Sequence, residues 1–444
     1  MSSRLFGTDG VRGLANGLLT AQLATSLGVA AAHVLATSEK SVAVVGRDPR
    51  VSGEFLQAAL SAGLASAGVT VIDIGVVPTP AVAFLTGLTD ADFGVMISAS
   101  HNAMPDNGIK FFARGGHKLA DNVEDAIESQ LAQPCELPTG AGVGRITRDD
   151  TLIEKYIAHL TSSIEQDLAG LRVVVDGANG SASLIGPEAL RRAGATVIAI
   201  HCEPDGLNIN HECGSTHMDD LVAAVREHGA DLGIAHDGDA DRCLAVDADG
   251  ELVDGDQILA MLAVGRKASE ALVGNTVVAT VMSNLGFNLA MAEQGIDVIS
   301  AAVGDRYVLE QMRSGGFTLG GEQSGHVVLQ EFATTGDGVL TALHIMNEIK
   351  RSGKSLQELA GIMDRLPQVL INVPDVDKSG VHHEAVVAAV VEVESILGQT
   401  GRVLLRPSGT EPLIRVMVEA PTAELAQECA SALVDVVRNN CSLS

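Results

Sequence analysis

The chain has 444 residues, which suggests three or four domains, and is 46% hydrophobic but only 2% aromatic, with no Trp. A formal charge of −27 counts against a nucleic-acid surface, which needs stretches of Lys and Arg, and the scarcity of rings counts against aromatic stacking as the main recognition device. The six cysteines (Cys135, Cys202, Cys213, Cys243, Cys429 and Cys441) contain no CxxC, so neither a zinc site nor a disulfide framework is expected, and a reducing cytoplasm is.

The chain opens on the glycine-rich stretch "FGTDGVRG", which holds Arg12. Gly13 to Ser38 then carries no formally charged residue. It includes Asn16, Thr20, Gln22, Thr25, Ser26 and His33, and repeats Leu19, Leu23 and Leu27, so it reads as an Ala-rich soluble helix and no membrane span is expected.

An internal repeat follows. "SVAVVGRDPRVSGE", "LRVVVDGANGSAS" and "NTVVATVMSNLGF" each read as a Val-rich strand, a polar loop and a helix. Each leads to a second strand ("GVTVIDIG", "GATVIAIH", "GIDVISAA") and then a third ("ADFGVMIS", "ADLGIAHD", "GGFTLGGE"). A hairpin-like stretch closes each copy ("IKFFARGGHKL", "CLAVDADGELV", "HVVLQEF"). Strand-helix alternation of this length means βαβ units and largely parallel sheets. We expect an α/β protein: three related domains at 1–150, 151–252 and 253–366, with mixed or parallel sheets. A smaller α+β domain at 367–444 completes it, around a central cleft. "QPCELPTGAGVGR" reads as the first linker.

Open α/β sheets bind ligands at the carboxyl ends of their strands. The loops after the third strands are "SASHN", "DGDADR" and "GEQSGH", three different polar chemistries at one equivalent place. In "DGDADR", Asp237, Asp239 and Asp241 alternate, so their carboxylates can converge on one hard cation, or form a solvated acidic turn. In "SASHN", Ser100 followed by His101 is a poor triad signal, and the GxSxG elbow is missing. A hydroxyl near a metal suits phosphoryl transfer better, the alternative being a hydroxyl-rich turn. Glu322, Ser324 and His326 offer a carboxylate, a hydroxyl and an imidazole to a polyol or amino sugar, unless they form only a glycine-rich turn. In "RPSGTEPLIR", Arg406, Ser408, Gly409, Thr410 and Arg415 can converge on a phosphate or form a plain hairpin connection. Lys110 and Arg12 are candidate clamps for charge, or ordinary surface cations.

"FGTDGVRG", "SASHN…DNGIK", "DGDADR", "GEQSGH" and "RPSGTEP", in that order, resemble the α-D-phosphohexomutase superfamily over the whole chain. The opening motif and Gln323 resemble its phosphoglucosamine branch more than the phosphomannomutase/phosphoglucomutase branch. The resemblance implies that Ser100 is a phosphoserine and that it holds one magnesium ion together with Asp237, Asp239 and Asp241. It implies that Glu322 and Ser324 touch sugar hydroxyls, and that the Arg406 to Thr410 loop grips the distant phosphate. Lys110 and His326 are implied as proton carriers, and His101 is kept as a further catalytic candidate. The implied reaction interconverts glucosamine 6-phosphate and glucosamine 1-phosphate through a 1,6-bisphosphate, with hexose 1,6-bisphosphate as activator. A small amino-sugar phosphate is thus the expected partner, with neither nucleic acid nor membrane, and a homodimer is left open. One departure stands out: Ala103 takes the place of the Pro usual after "SASHN". A hexose-phosphate mutase of another sugar preference, a metal-dependent sugar phosphatase and a sugar-phosphate-binding regulator are the competing readings.

Overall fold

A computed structural model describes residues 4–7, 9–38, 40–408 and 413–441. It divides into two compact units, Met1–Met282 with Gly295–Ile362 and Ser283–Gln294 with Met363–Ser444. The first unit contains the sheets of the repeat, while the first helix of the third copy, Leu285–Glu293, falls in the second. In each copy the first strand lies between the second and third, parallel to both, and the next strand returns antiparallel beside the third. The first copy uses Val42–Arg47 between Thr70–Val76 and Phe93–Ile97, with Asp106–Ala113 outside. The second uses Arg172–Asp176, Thr196–Ile200, Leu232–Ala235 and Leu244–Asp247. The third uses Thr276–Thr280, Asp297–Ala301, Leu319–Gly321 and Val327–Leu329.

Three details differ from the sequence reading. The closing hairpins form in the first two copies, but among the described residues "HVVLQEF" contributes only Val327–Leu329. The uncharged stretch after Arg12 is not one helix. It starts as the strand Val11–Leu14, and the helix Ala21–Leu35 begins only where Thr20 Oγ accepts from Leu23 N at 3.1 Å. Beyond the supposed linker, Ile146–Arg148 pairs parallel with Thr70–Val76 and extends the first sheet.

A core without Trp is built by close approach of small residues. A Cβ on Gly63 would lie 2.2 Å from Thr25 O, so the helix Val51–Ser66 touches the helix Ala21–Leu35 backbone to backbone. Leu27, Leu56, Leu60, Leu64, Val45 and Val95 have no exposed surface there, each contributing about 1.5–3 kcal/mol by burial.

The second unit carries an antiparallel sheet, with Leu413–Glu419 between Gln368–Pro374 and Arg402–Pro407. The alternation of Ile414, Val416 and Val418 packs one face against Leu433 and Val437 of the helix Ala423–Cys441.

Candidate active site

In the first unit the three third-strand loops meet. Register explains part of this: Arg12 lies opposite Gly108 in the antiparallel pair of Val11–Leu14 with Asp106–Ala113, two residues from Lys110. The strand bearing Lys110 also pairs with Phe93–Ile97, which ends three residues before Ser100.

Ser100 is buried and has φ 53°, the left-handed region that a serine enters only at a cost. The conformation is held from several directions. Ser100 N donates to Ser98 Oγ at 2.9 Å, and Ser98 Oγ donates to Asp48 at 2.5 Å. Arg50, with no exposed surface, pairs with Asp48 at 2.9 Å and donates to the carbonyls of Ser100 (3.0 Å), Asn102 (2.8 Å) and Ala103 (2.7 Å). Asn210 of the second copy donates to the carbonyls of Ser100 at 2.8 Å and Asn102 at 3.1 Å. The guanidinium and the Asp106 N–H hold the Ala103 carbonyl by hydrogen bonds, where a proline would have stiffened the loop through its ring.

Arg50 is therefore a positioning residue. Arg50→Lys keeps a charge opposite Asp48 but cannot fork across three carbonyls. A steady-state titration should show kcat down roughly 10²-fold with KM little changed, since the substrate contacts stay while the nucleophile loosens.

The aspartate loop is docked against this turn. Ser100 Oγ donates to Asp237 at 2.6 Å, Lys110 Nζ donates to Asp239 at 2.8 Å, and Thr79 Oγ donates to Asp239 at 2.7 Å. Gly238 makes the approach possible, because a Cβ there would lie 2.6 Å from Ser100 O. Burial, then the charges of Asp241 and Asp239, push the Asp237 carboxyl up, whereas Lys110 and Thr79 hold Asp239 down against its burial. Oxygens of all three carboxylates lie within 4.8 Å of one another, and Asp237, Asp239 and Asp241 each keep one buried oxygen, Oδ1, without a hydrogen-bond partner among the described residues. Crowded hard donors with orphaned lone pairs fit a divalent cation.

The sugar-loop candidates stand beside this cluster. Cys243 N donates to Gly325 O at 3.0 Å, which ties "GEQSGH" to the strand following the aspartate loop. Glu322 accepts from Gly304 N at 3.0 Å, and Ser324 Oγ is buried without a partner among the described residues. His326 Nδ1 faces Asp241 at 3.5 Å. Against burial, Asp241 and Asp305 raise this imidazole to about 9, yet Gly336 N–H points at Nε2 from 3.1 Å and needs its lone pair. The backbone bond defines the tautomer, with the proton on Nδ1. His101 is exposed and, among the described residues, has no hydrogen bond to Ser100. Desolvation, Arg242 and Arg12 push it down to about 4; its exposure makes the two guanidiniums the more persuasive cause.

Several participants were not singled out in the sequence. Asp9 accepts from Lys110 at 2.8 Å, from Lys118 at 3.0 Å, and from Arg12. Lys118 also reaches Asp305 at 2.5 Å, and Asp305 faces His326 Nε2 at 3.8 Å. Arg242 lies half-buried near Asp237, Asp241 and Glu322, with Nε 3.9 Å from Asp241 Oδ1. Its signal was its place inside "DGDADR".

In the second unit Arg406 and Arg415 are direct cross-strand partners, and Lys378 Nζ donates to Ser408 O at 3.0 Å. Like charges placed opposite each other destabilise a sheet unless an anion joins them. Gly409 and Thr410 lie outside the described residues.

These folds and loops match known proteins. Models of the phosphoglucomutase/phosphomannomutase alpha/beta/alpha domains I, II and III match residues 3–136, 154–250 and 254–366, and the C-terminal domain model matches 370–436. The chain belongs to the phosphoglucomutase/phosphomannomutase family. It is 62% identical over 447 residues to the phosphoglucosamine mutase of Streptomyces coelicolor, covering 98% of this chain and 99% of that one. It is also 62% identical to the Thermobifida fusca phosphoglucosamine mutase, with both chains fully covered at 100%. A phosphoglucomutase/phosphomannomutase family protein from Burkholderia thailandensis shares the fold with TM-score 0.82 at 24% identity, covering 99% of this chain and 98% of that one. So does Aspergillus fumigatus N-acetylphosphoglucosamine mutase, solved with GlcNAc-6P and magnesium, with TM-score 0.69 at 17% identity over 98% and 96% of the two chains. The family implies a metal ion, and the acidic triad is a group that could hold one. Among the described residues no helix is long and apolar enough to cross a membrane.

Proposed function

We propose that the chain is an isomerase that interconverts glucosamine 6-phosphate and glucosamine 1-phosphate. The observation that carries this reading is Ser100 Oγ, buried on a left-handed turn and hydrogen-bonded to Asp237 of the aspartate loop. The near-complete 62% identity to phosphoglucosamine mutases supports the choice of sugar. The segments 1–150, 151–252, 253–366 and 367–444 then act as four domains, each contributing one functional loop.

Ser100 carries a phosphoryl group and gives it to the free oxygen of the bound sugar phosphate. The bond from phosphorus to Oγ breaks, a bond to the sugar oxygen forms, and the sugar hydroxyl loses its proton to a base. The resulting 1,6-bisphosphate turns over and returns its other phosphoryl group to Ser100. Magnesium held by Asp237, Asp239 and Asp241 would spread the charge of the transferring group. Lys110, bonded to the carboxylates of Asp239 and Asp9, is an ammonium and serves as charge clamp or proton donor. Lys110 and His326 are the proton carriers, His326 accepting through Nε2 only once substrate draws that nitrogen away from the Gly336 N–H, and His101 stands at the rim. Glu322 and Ser324 hold the sugar, Arg12 attracts its anionic end, and Arg406, Ser408 and Arg415, with Gly409 and Thr410, grip the phosphate that does not react. A trace of hexose 1,6-bisphosphate keeps Ser100 charged. This reading includes a cytoplasmic setting and leads into amino-sugar and cell-wall precursor synthesis. A homodimer, if formed, would be seen by sedimentation at assay concentration.

Competition among glucosamine, glucose and mannose phosphates tests the choice of sugar. The glucosamine phosphates should have the highest kcat/KM; a higher value for either neutral sugar would transfer the chain to another branch. Arg406→Ala should lower kcat/KM in both directions, by roughly 10²-fold or more, because either orientation of the substrate uses the same clamp. A loss in one direction only would remove Arg406 from that role.

A further inference from the structure

A second cluster of metal-binding side chains lies in the second copy of the repeat, outside the three loops. Asp176 ends the strand Arg172–Asp176, and its ladder partner Ile200 precedes His201, so both side chains emerge at one carboxyl edge. Cys213 joins them from the returning loop. An oxygen, a nitrogen and a sulfur from the three lie within 4.8 Å of one another. Asp176 and Cys213 have no exposed surface.

Hydrogen bonds reach both oxygens of this carboxylate without bringing it a permanently charged partner. Asp176 accepts from Ala178 N at 2.8 Å, from Gly214 N at 2.9 Å, and pairs with His201 Nδ1 at 2.9 Å. Among the described residues no Lys or Arg side chain pairs with this buried carboxylate, so its charge wants a cation. The far nitrogen of His201, Nε2, faces Asp220 at 3.2 Å. A carboxylate behind a histidine whose other nitrogen points into a donor cluster is the arrangement that orients metal-bound imidazoles. One thiol, one imidazole and one carboxylate are a borderline donor set, unlike the all-oxygen set of the aspartate loop.

We propose that Asp176, His201 and Cys213 bind a zinc-class divalent cation and thereby pin the loop that presents Asn210 to the Ser100 turn. Asn210 lies in that loop, between His201 and Cys213, and its N–H donates to Ala178 O at 2.9 Å while its amide holds the carbonyls of Ser100 and Asn102. No CxxC spacing announces such a site, because one ligand ends a strand and the other two stand twelve residues apart on a single loop. The cation binds the thiolate, so its uptake by Cys213 releases a proton.

The test uses the full chain, stripped of metal and titrated with Co2+ under excess Mg2+, which covers the aspartate loop. One equivalent should give a thiolate-to-cobalt charge-transfer band in the near ultraviolet, release protons, and be displaced by Zn2+. Cys213→Ser should abolish the band. His201→Gln, at a partly exposed position that threatens folding less, should weaken cobalt affinity at least as much as Asp220→Asn, which should cost roughly 10- to 100-fold. Asp239→Asn should leave the band intact. Absence of the band in the parent protein, its survival in a folded Cys213→Ser chain, unchanged affinity in His201→Gln, or its loss with Asp239→Asn would each overturn the proposal.

Discussion

Ser100→Ala is expected to carry no phosphate after incubation with hexose 1,6-bisphosphate, and to interconvert the glucosamine phosphates at least about 10⁴-fold more slowly than the parent. The size of the effect follows from chemistry rather than packing. Ser100 Oγ donates to Asp237, while the other hydroxyl at the cluster, Thr79, is spent on the oxygen of Asp239 that Lys110 also holds; the methyl of alanine cannot accept a phosphoryl group. Backbone strain is a separate matter. Ser100 sits at φ 53°, where alanine is also strained and glycine is not. Ser100→Gly should therefore be as inactive as Ser100→Ala while being more stable than it, by about 1 kcal/mol. Phosphopeptide mapping and thermal unfolding read the two effects apart. Activity retained in the glycine variant would mean that the turn, and not the hydroxyl, is what the reaction needs.

Asp239→Asn should have the next largest effect. Asp239 has no exposed surface, and one of its oxygens is taken by Lys110 and Thr79 while the other is unpartnered. The amide can still accept from Lys110, which remains paired with Asp9, so the fold should survive. It loses the negative charge that a divalent cation requires. Turnover at saturating magnesium should fall roughly 10²- to 10³-fold, the scale for removing one preorganised electrostatic contact, and half-maximal activity should need more magnesium. Unchanged metal dependence measured by titration after chelation would remove the aspartate loop from the site.

Much of this was legible along the chain because it is local. The Val-rich strands, their spacing and the helices between them repeat, so one copy interprets the next. The three divergent loops stood out against that frame. What was hidden depends on contacts between residues far apart in sequence. Arg50 looks like part of a strand-to-helix connection, and only folding puts its guanidinium under Ser100 through Asn102. Asp9, Lys118 and Asp305 form a chain of ion pairs drawn from the opening motif and the first and third copies. No spacing along the sequence encodes that. His101 shows the converse. Adjacency to Ser100 is a poor sign of partnership because neighbouring side chains on a turn diverge, and His101 faces solvent. The strand Ile146–Arg148 was missed because an exposed three-residue edge has too little alternation to read as a strand.

The most direct test of the account is the fate of the phosphate. A phosphatase and a mutase could share Ser100, the aspartates and magnesium, so their difference lies in whether water or sugar receives the phosphoryl group. The purified protein, given glucosamine 6-phosphate, magnesium and a trace of hexose 1,6-bisphosphate, is followed for glucosamine 1-phosphate and inorganic phosphate together. The account predicts that the 1-phosphate accumulates to equilibrium with little inorganic phosphate. Inorganic phosphate released in step with substrate consumed, with no 1-phosphate formed, would contradict it.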